Sequence, residues 1–392
     1  MDRIWDSGSH DRRSIRLGRT IPMKILVASD SFKGSLSSLE VAGAVCQGVL
    51  DILPDSQVKL FNVADGGEGL VESLTDALGG EIIKVSVSDP LFRPVCAAYG
   101  IKDGVAIMEM AASSGLPLLK AEERNPSLTT TYGVGEMILD ALGRGCRKFL
   151  VGIGGSATTD CGMGMLSALG CKFFSADGQL LKGIGADMAL VASVDASGMD
   201  SRLSESEFTV ACDVSNPLYG TDGAAYVFGP QKGADPEMVR ALDNGLRNIS
   251  TYMPEGVAEF PGAGAAGGLG AAFKAFLGAR LQPGIEMVLD AIGFDDALAG
   301  VDLVFTGEGK MDFQTASGKT AAGVLKRSSA AGVPVAALAG KVEMCPELEA
   351  MGFRSITQVT PEGCPLEEAM RKDVATENVR KAAAKVISTC SR

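Results

Sequence analysis

The chain has 392 residues, 46% of them apolar and 21% charged, a composition that buries two or three cores and matches a packed globular protein. A formal net charge of −12 excludes the basic footprint of nonspecific nucleic-acid binding, and no apolar run reaches the roughly 18 residues of a membrane-spanning helix. Nine cysteines with no CxxC argue against a disulfide framework or a structural zinc site, and the single histidine, His10, removes Ser–His–Asp hydrolysis and histidine metal sites from everything beyond the leader.

Residues 1–22 are polar, arginine-rich and without the apolar core of a signal peptide. They read as a disordered leader or an upstream extension, with Met23 as the alternative start. A strand–loop–helix pattern then begins. Lys24 to Ala28 leads through DSFKGS to a helix from Ser38, and Val58 to Val63 leads through ADGGEG to a helix over LVESLTDAL. Residues 80–119 break the rhythm with segments that predict antiparallel strands and hairpins. Phe149 to Ile153 resumes it, running through GGSATTDCGMG into a helix around MLSALG. Residues 170–284 break it again with CKFFSADGQ, FTVACDVSNPL, AAYVFGPQKG, a helical stretch and PGAGAAGGLG. Val301 to Phe305, Val333 to Leu338 and Ser355 to Val359 then each lead through a turn to a helix.

The repeated runs are almost uniformly apolar, as parallel strands covered on both faces are. The expected fold is therefore α/β: a doubly wound, mostly parallel Rossmann-like sheet from residues 23–79, 120–169 and 285–392, with a second α/β domain inserted as residues 80–119 and 170–284. Such a sheet binds ligands at the carboxyl ends of its strands, where each glycine or acidic cluster falls.

Each cluster taken singly also fits an ordinary capped or acidic turn. In DSFKGS, Lys33, with Ser31 beside it, sits between a strand end and a helix start, where a lysine can neutralise a phosphate. In ADGGEG, Asp65 and Glu68 would repel a bare phosphate and suit Mg²⁺, a substrate hydroxyl or a proton instead. In GIGGSATTD, Gly154 and Gly155 let the backbone approach closely, and Ser156, Thr158 and Thr159 add hydroxyl donors, which makes this loop the best cradle for phosphate oxygens or a carboxylate. CDVSNPL and GPQKGA contribute Asp213, Asn216 and Lys232, with Asp213 read as lying on a buried strand. PGAGAAGGLGAA holds a formal G-x-G-x-x-G at Gly262, Gly264 and Gly267, but no convincing strand precedes it, so it reads as a helix start packed close to the site. TGEGKMD puts Glu308 and Asp312 at a strand end, a pair suited to a metal. Gly318-Lys319-Thr320 resembles the end of a P-loop, but Phe313 stands where the upstream glycine belongs. Phosphate-holding loops, lysines, strand-end acids and no histidine together point to magnesium-dependent phosphoryl transfer, which is mainly positioning and charge neutralisation.

DSFKGSLSSLE, ADGGEG, GIGGSATTD, ACDVSNPL, FGPQKGA, PGAGAAGGLGAA and TGEGKMD, in this order, resemble the bacterial glycerate kinase family from about Met23 to the C-terminus. The resemblance implies ATP-dependent phosphorylation of D-glycerate, at the 2-hydroxyl, to 2-phosphoglycerate. It also implies two α/β domains with the active site in the cleft between them, ATP and Mg²⁺ as cofactors, and a cytoplasmic enzyme, monomer or homodimer, without nucleic-acid or membrane partners. The resemblance does not fix a role for each residue; the residues themselves suggest that Lys33 and Lys232 neutralise phosphate charge and that the Gly154 to Thr159 loop holds phosphate or the glycerate carboxylate, with Ser31, Asn216 and Gly264 nearby. Glu308 and Asp312 position Mg²⁺, and Asp213 accepts the hydroxyl proton, with Asp65 as runner-up. Two rivals remain: a non-catalytic glycerate sensor on the same fold, and a nicotinamide-dependent oxidoreductase supported by the glycine pattern alone.

Overall fold

The computed structural model describes residues 22–63, 69–315 and 319–390, so the expected leader lies, but for Pro22, outside the described residues. The strands run β1 (Lys24–Ser29), β2 (Gln57–Asn62), β3 (Glu81–Ser88), β4 (Pro94–Lys102), β5 (Val105–Glu109), β6 (Lys148–Gly152), β7 (Lys172–Phe174), β8 (Ser193–Asp195), β9 (Glu207–Ala211), β10 (Arg280–Gln282), β11 (Leu303–Met311), β12 (Val335–Val342) and β13 (Ser355–Gln358). They form a five-stranded sheet in the order β13-β12-β11-β1-β2, a six-stranded sheet in the order β10-β9-β6-β5-β4-β3, and a small β7–β8 pair.

The five-stranded sheet is parallel throughout. β1 lies inside it, buried at every position but Lys24, which explains the unbroken apolar run ILVA. One face is covered by the helix Ser38–Ile52 and the C-terminal helix Lys372–Cys390, which share a core with β1 and β11. A capping box starts the first of these: the Glu40 amide donates to Ser37 Oγ (3.3 Å) and the Ser37 amide to Glu40 Oε2 (3.0 Å). The two helices meet backbone to backbone at Gly48, where a Cβ would lie 2.2 Å from Arg380 O. The helices Gly284–Ala291 and Thr320–Ala330 cover the other face. From β1 the chain steps outward to β2, and from β11 it steps the opposite way to β12 and β13, so the winding reverses between β1 and β11.

In the six-stranded sheet β3, β4 and β5 form an antiparallel meander, and β5, β6, β9 and β10 continue in parallel. Its core packs Phe149 on Phe208, rings stacked with centroids 4.6 Å apart, and Phe208 against Phe273. The placement of β6 corrects the sequence expectation that residues 120–169 belong with the five-stranded sheet: Phe149 pairs with Ala106 of β5 and Phe208 of β9. An apolar run followed by a glycine turn identifies a covered strand but does not identify its partners, which are chosen across the chain. The two sheets share an apolar layer that includes Leu26, Phe61, Leu74, Ile107, Ala211 and Val288. Two polar ties cross it: the Leu70 amide donates to Glu109 Oε1 and the Gly284 amide to Asp213 Oδ1, each at 2.9 Å.

Candidate active site

A cavity of about 320 Å³ opens at the carboxyl ends of β6 and β9. Ile153 to Ser156 form one wall, Cys212 to Val214 another, and Lys232 the floor. The Gly155 backbone is left-handed (φ +73°), and its carbonyl accepts from the Leu116 amide at 2.9 Å. Lys232 ends a single 3₁₀ turn, Pro230–Lys232, that closes on Gly233. That glycine is required, since its φ is +96° and a Cβ would lie 2.2 Å from Arg124 O.

Lys232 is 2% exposed, and its ammonium donates to Ser156 Oγ (2.7 Å) and Thr158 O (2.6 Å). Among the described residues it forms no ion pair. Burial pulls its pKa down from 10.5 to about 7, with the charge of Asp160 opposing the fall. Asp160 is fully buried behind the loop. It accepts from the Thr131 amide and hydroxyl (both 2.7 Å) and from the Gly162 and Gly164 amides (both 3.2 Å). Burial nonetheless raises its pKa, and those four donors oppose the rise.

The glycine-rich segment braces this loop from below. Ala266, Gly267 and Gly268 are left-handed inside the helix Ala265–Leu277, and the Cys161 amide donates to Gly267 O at 3.0 Å. A Cβ on Gly267 would lie 2.1 Å from Thr158 O, the carbonyl that holds Lys232. Gly267→Ala is therefore expected to cost about 3 kcal/mol or more of stability, measurable by urea unfolding.

A second cavity, of about 760 Å³, lies at the carboxyl edge of the five-stranded sheet, where the winding reverses. Ser31, Lys33 and Glu308 line it, as do Asp30 and Lys319. Glu308 is 6% exposed and accepts from Thr315 Oγ1 at 2.5 Å. Burial raises its pKa, with Asp30 and Asp312 adding to the rise and Thr315 and Lys319 opposing it. Asp312 is already matched: Lys310 bonds it at 2.9 Å and holds its pKa below the usual carboxylate value. Asp30 donates its amide to Gly307 O at 2.9 Å, which ties the end of β1 to β11 and sets its carboxylate near that of Glu308. Among the described residues no group of three or more His, Cys, Asp or Glu side chains is gathered as a metal site. Mg²⁺ needs only one or two protein carboxylates beside phosphate and water, and a buried Glu308 next to Asp30 fits that demand.

The sequence candidates thus separate. Gly154, Gly155, Ser156, Asp213 and Lys232 line the smaller cavity, and Ser31, Lys33 and Glu308 the larger. Thr158 and Thr159 are wholly buried, with hydroxyls that meet no partner among the described residues, and stand outside either lining. Asn216 donates to Asp222 O at 2.8 Å and Gly264 packs on Pro217, so both brace the β9 loop. Asp213 lies beyond the end of β9 and is exposed, which corrects the buried-strand reading: the pairing of β9 with β6 ends at Ala211, opposite Gly152. Asp65 lies outside the described residues. Glu308 lies inside β11, whose pairing with β12 continues to Met311, which corrects the reading of TGEGKMD as a turn beyond the strand end. Sequence reasoning does not single out Asp30 or Asp160, although Asp30 directly follows the buried strand β1.

The glycerate kinase family profile matches residues 25–391. The glycerate kinase of Bacillus cereus is 45% identical over 370 residues, which are 92% of this chain and 96% of that protein. The glycerate 2-kinase of Escherichia coli is 42% identical over 374 residues, 94% and 98% of the two chains. A crystal structure of glycerate kinase 2 from Salmonella typhimurium is 44% identical, with a TM-score of 0.84, and the match covers 94% of this chain and 98% of that one. The chain belongs to the glycerate kinase family and is a kinase.

Proposed function

We propose that this kinase transfers the γ-phosphoryl group of ATP to the 2-hydroxyl of D-glycerate, yielding 2-phosphoglycerate and ADP. The observation that carries the reading is Lys232, an ammonium buried without an ion-pair partner among the described residues at the floor of a cavity sized for a small acid. An isolated buried cation is costly, and a substrate carboxylate offsets that cost. The carboxylate lies against Lys232 and Ser156, which leaves the 2-hydroxyl toward Asp213. Asp213 accepts the hydroxyl proton as the new O–P bond forms, and the electron pair of the broken P–O bond leaves with ADP. Asp30 and Glu308 would hold Mg²⁺, whose charge offsets that of the phosphate oxygens. The name of the Escherichia coli relative, glycerate 2-kinase, supports the position of transfer. A cytoplasmic location agrees with eight free thiols among the described cysteines.

The test is ADP release with D-glycerate, ATP and Mg²⁺, followed by NMR of the product. Release with 2-phosphoglycerate as product is the expected result. Formation of 3-phosphoglycerate would refute the assigned position, and release with only some other hydroxy acid would refute the substrate.

A further inference from the structure

We infer that the larger cavity, at the carboxyl edge of the five-stranded sheet, is the nucleotide site, with the base on the apolar wall that follows β13 and the phosphates between Lys33 and Lys319. The inference rests on the kinase reading for the class of ligand but not for the reaction or the acid acceptor.

Three features of the cavity argue for it. The first is position. In doubly wound sheets ligands settle in the crevice outside the strand ends where the winding reverses, and here that point falls between β1 and β11. The Asp30–Lys33 turn and Glu308 meet there. The second is charge. Lys310 is committed to Asp312 and Glu343, and Lys341 to Glu343. Lys33 and Lys319 form no ion pair among the described residues, and Lys319 makes only a 3.4 Å bond to the Gln314 side chain. Among the described residues, then, two ammonium groups without an ion pair face one cavity, and Lys319 also precedes the helix Thr320–Ala330, whose first amides point back toward it.

The third is an apolar wall that no described residue covers. Leu366 is 73% exposed and Met370 37% exposed, and with Val359 and Ala369 they line the side away from the lysines. The wall reaches the cationic turn: a Cβ on Gly34 would lie 2.7 Å from Met370 Cε. Methionine and leucine at such a position suit a flat, weakly polar ring. A ligand with a polyanionic tail and a flat apolar head matches both halves, and a nucleoside triphosphate is such a ligand. Glycerate has no apolar head to offer. The volumes agree, since ligand clefts run from roughly 300 to 1,000 Å³ and the two cavities lie toward opposite ends of that range.

The test separates the two halves of the ligand and needs no turnover. Binding of ADP and of adenosine to the full-length protein is measured by calorimetric titration for the wild type, Leu366→Asp and Lys319→Ala. Leu366→Asp is expected to weaken both ligands by about tenfold or more, because it removes apolar area the base covers. Lys319→Ala is expected to weaken ADP by about tenfold while leaving adenosine nearly unchanged. Glycerate binding stays at the wild-type value in both variants. Leu366 and Lys319 are exposed, so neither change removes a buried contact, and a circular dichroism melt checks the fold. Wild-type affinity for ADP in both variants would overturn the assignment, as would a wild-type protein that binds no ADP. Intact ADP binding without phosphorylation of glycerate would instead refute the proposed reaction and leave the nucleotide site standing.

Discussion

Lys232→Met is expected to lower kcat/KM for glycerate by about 10³-fold, because truncating one partner of a buried, hydrogen-bonded charge pair costs roughly 2–5 kcal/mol. Methionine keeps most of the volume, so the loss reports charge rather than packing. The pH dependence supplies an independent readout. Burial lowers the pKa of Lys232 from 10.5 to about 7, so between those values the unfolded chain binds a proton that the folded chain does not. Wild-type stability from this group therefore rises as pH goes from about 7 toward 10.5, and its full burial cost is present below about 7. A bound carboxylate favours the ammonium and reverses the shift. Glycerate binding should then take up a proton at pH 8, and affinity should fall as pH rises above about 7. Calorimetry in buffers of different ionisation enthalpy measures that uptake. Absence of uptake in the wild type, or the same uptake in Lys232→Met, would exclude Lys232 as the carboxylate partner.

The second large effect is expected at Asp213. Asp213→Asn should reduce kcat by roughly 10²–10⁴-fold, the usual worth of a general base, while the KM values for glycerate and ATP change little. Asparagine still offers an oxygen to the Gly284 amide, which Asp213 Oδ1 now accepts at 2.9 Å, so the helix Gly284–Ala291 keeps its start. Asp213→Ala removes that acceptor as well and should cost about 1 kcal/mol of stability beyond the loss of turnover. If Asp213 only holds the helix, the asparagine variant will turn over at nearly the wild-type rate, and the base assignment fails. Asp65→Asn is the matched control, since Asp65 is the other acid the sequence offers for this step.

The contrast between these two residues shows what could be read early and what could not. Lysine and aspartate at strand ends were visible as candidates because strand, turn and helix signals are local: steric preference and periodicity act over a few residues. The same locality explains why the apolar runs that open β1, β6 and β11 and the helix that begins near Ser38 are legible in the sequence. It also explains why the glycine-rich segment, with no convincing strand before it, is only a weak dinucleotide match and reads as a helix start, and in the structure Gly267 packs on Thr158.

Burial and partnership are set by contacts between distant parts of the chain. Lys232 loses its water because Ser156 and Thr158, more than 70 positions away in sequence, close over it, so its depressed pKa has no local signature. Thr158 and Thr159 looked like donors to a ligand, yet the glycine-rich helix start seals them inside. Asp30 and Glu308 lie 278 positions apart and become neighbours only because β1 pairs with β11. The sequence by itself determined the α/β class, the apolar core of the covered strands and the chemical inventory of phosphoryl transfer, since these follow from residue type and short-range order, but not where β11 and β12 end, because TGEGKM and AGKV pair with each other as strand. Only the tertiary structure decided which sheet β6 joins, which acids and lysines share a cavity, and which of them are stripped of solvent, because strand pairing and desolvation are properties of the assembled core.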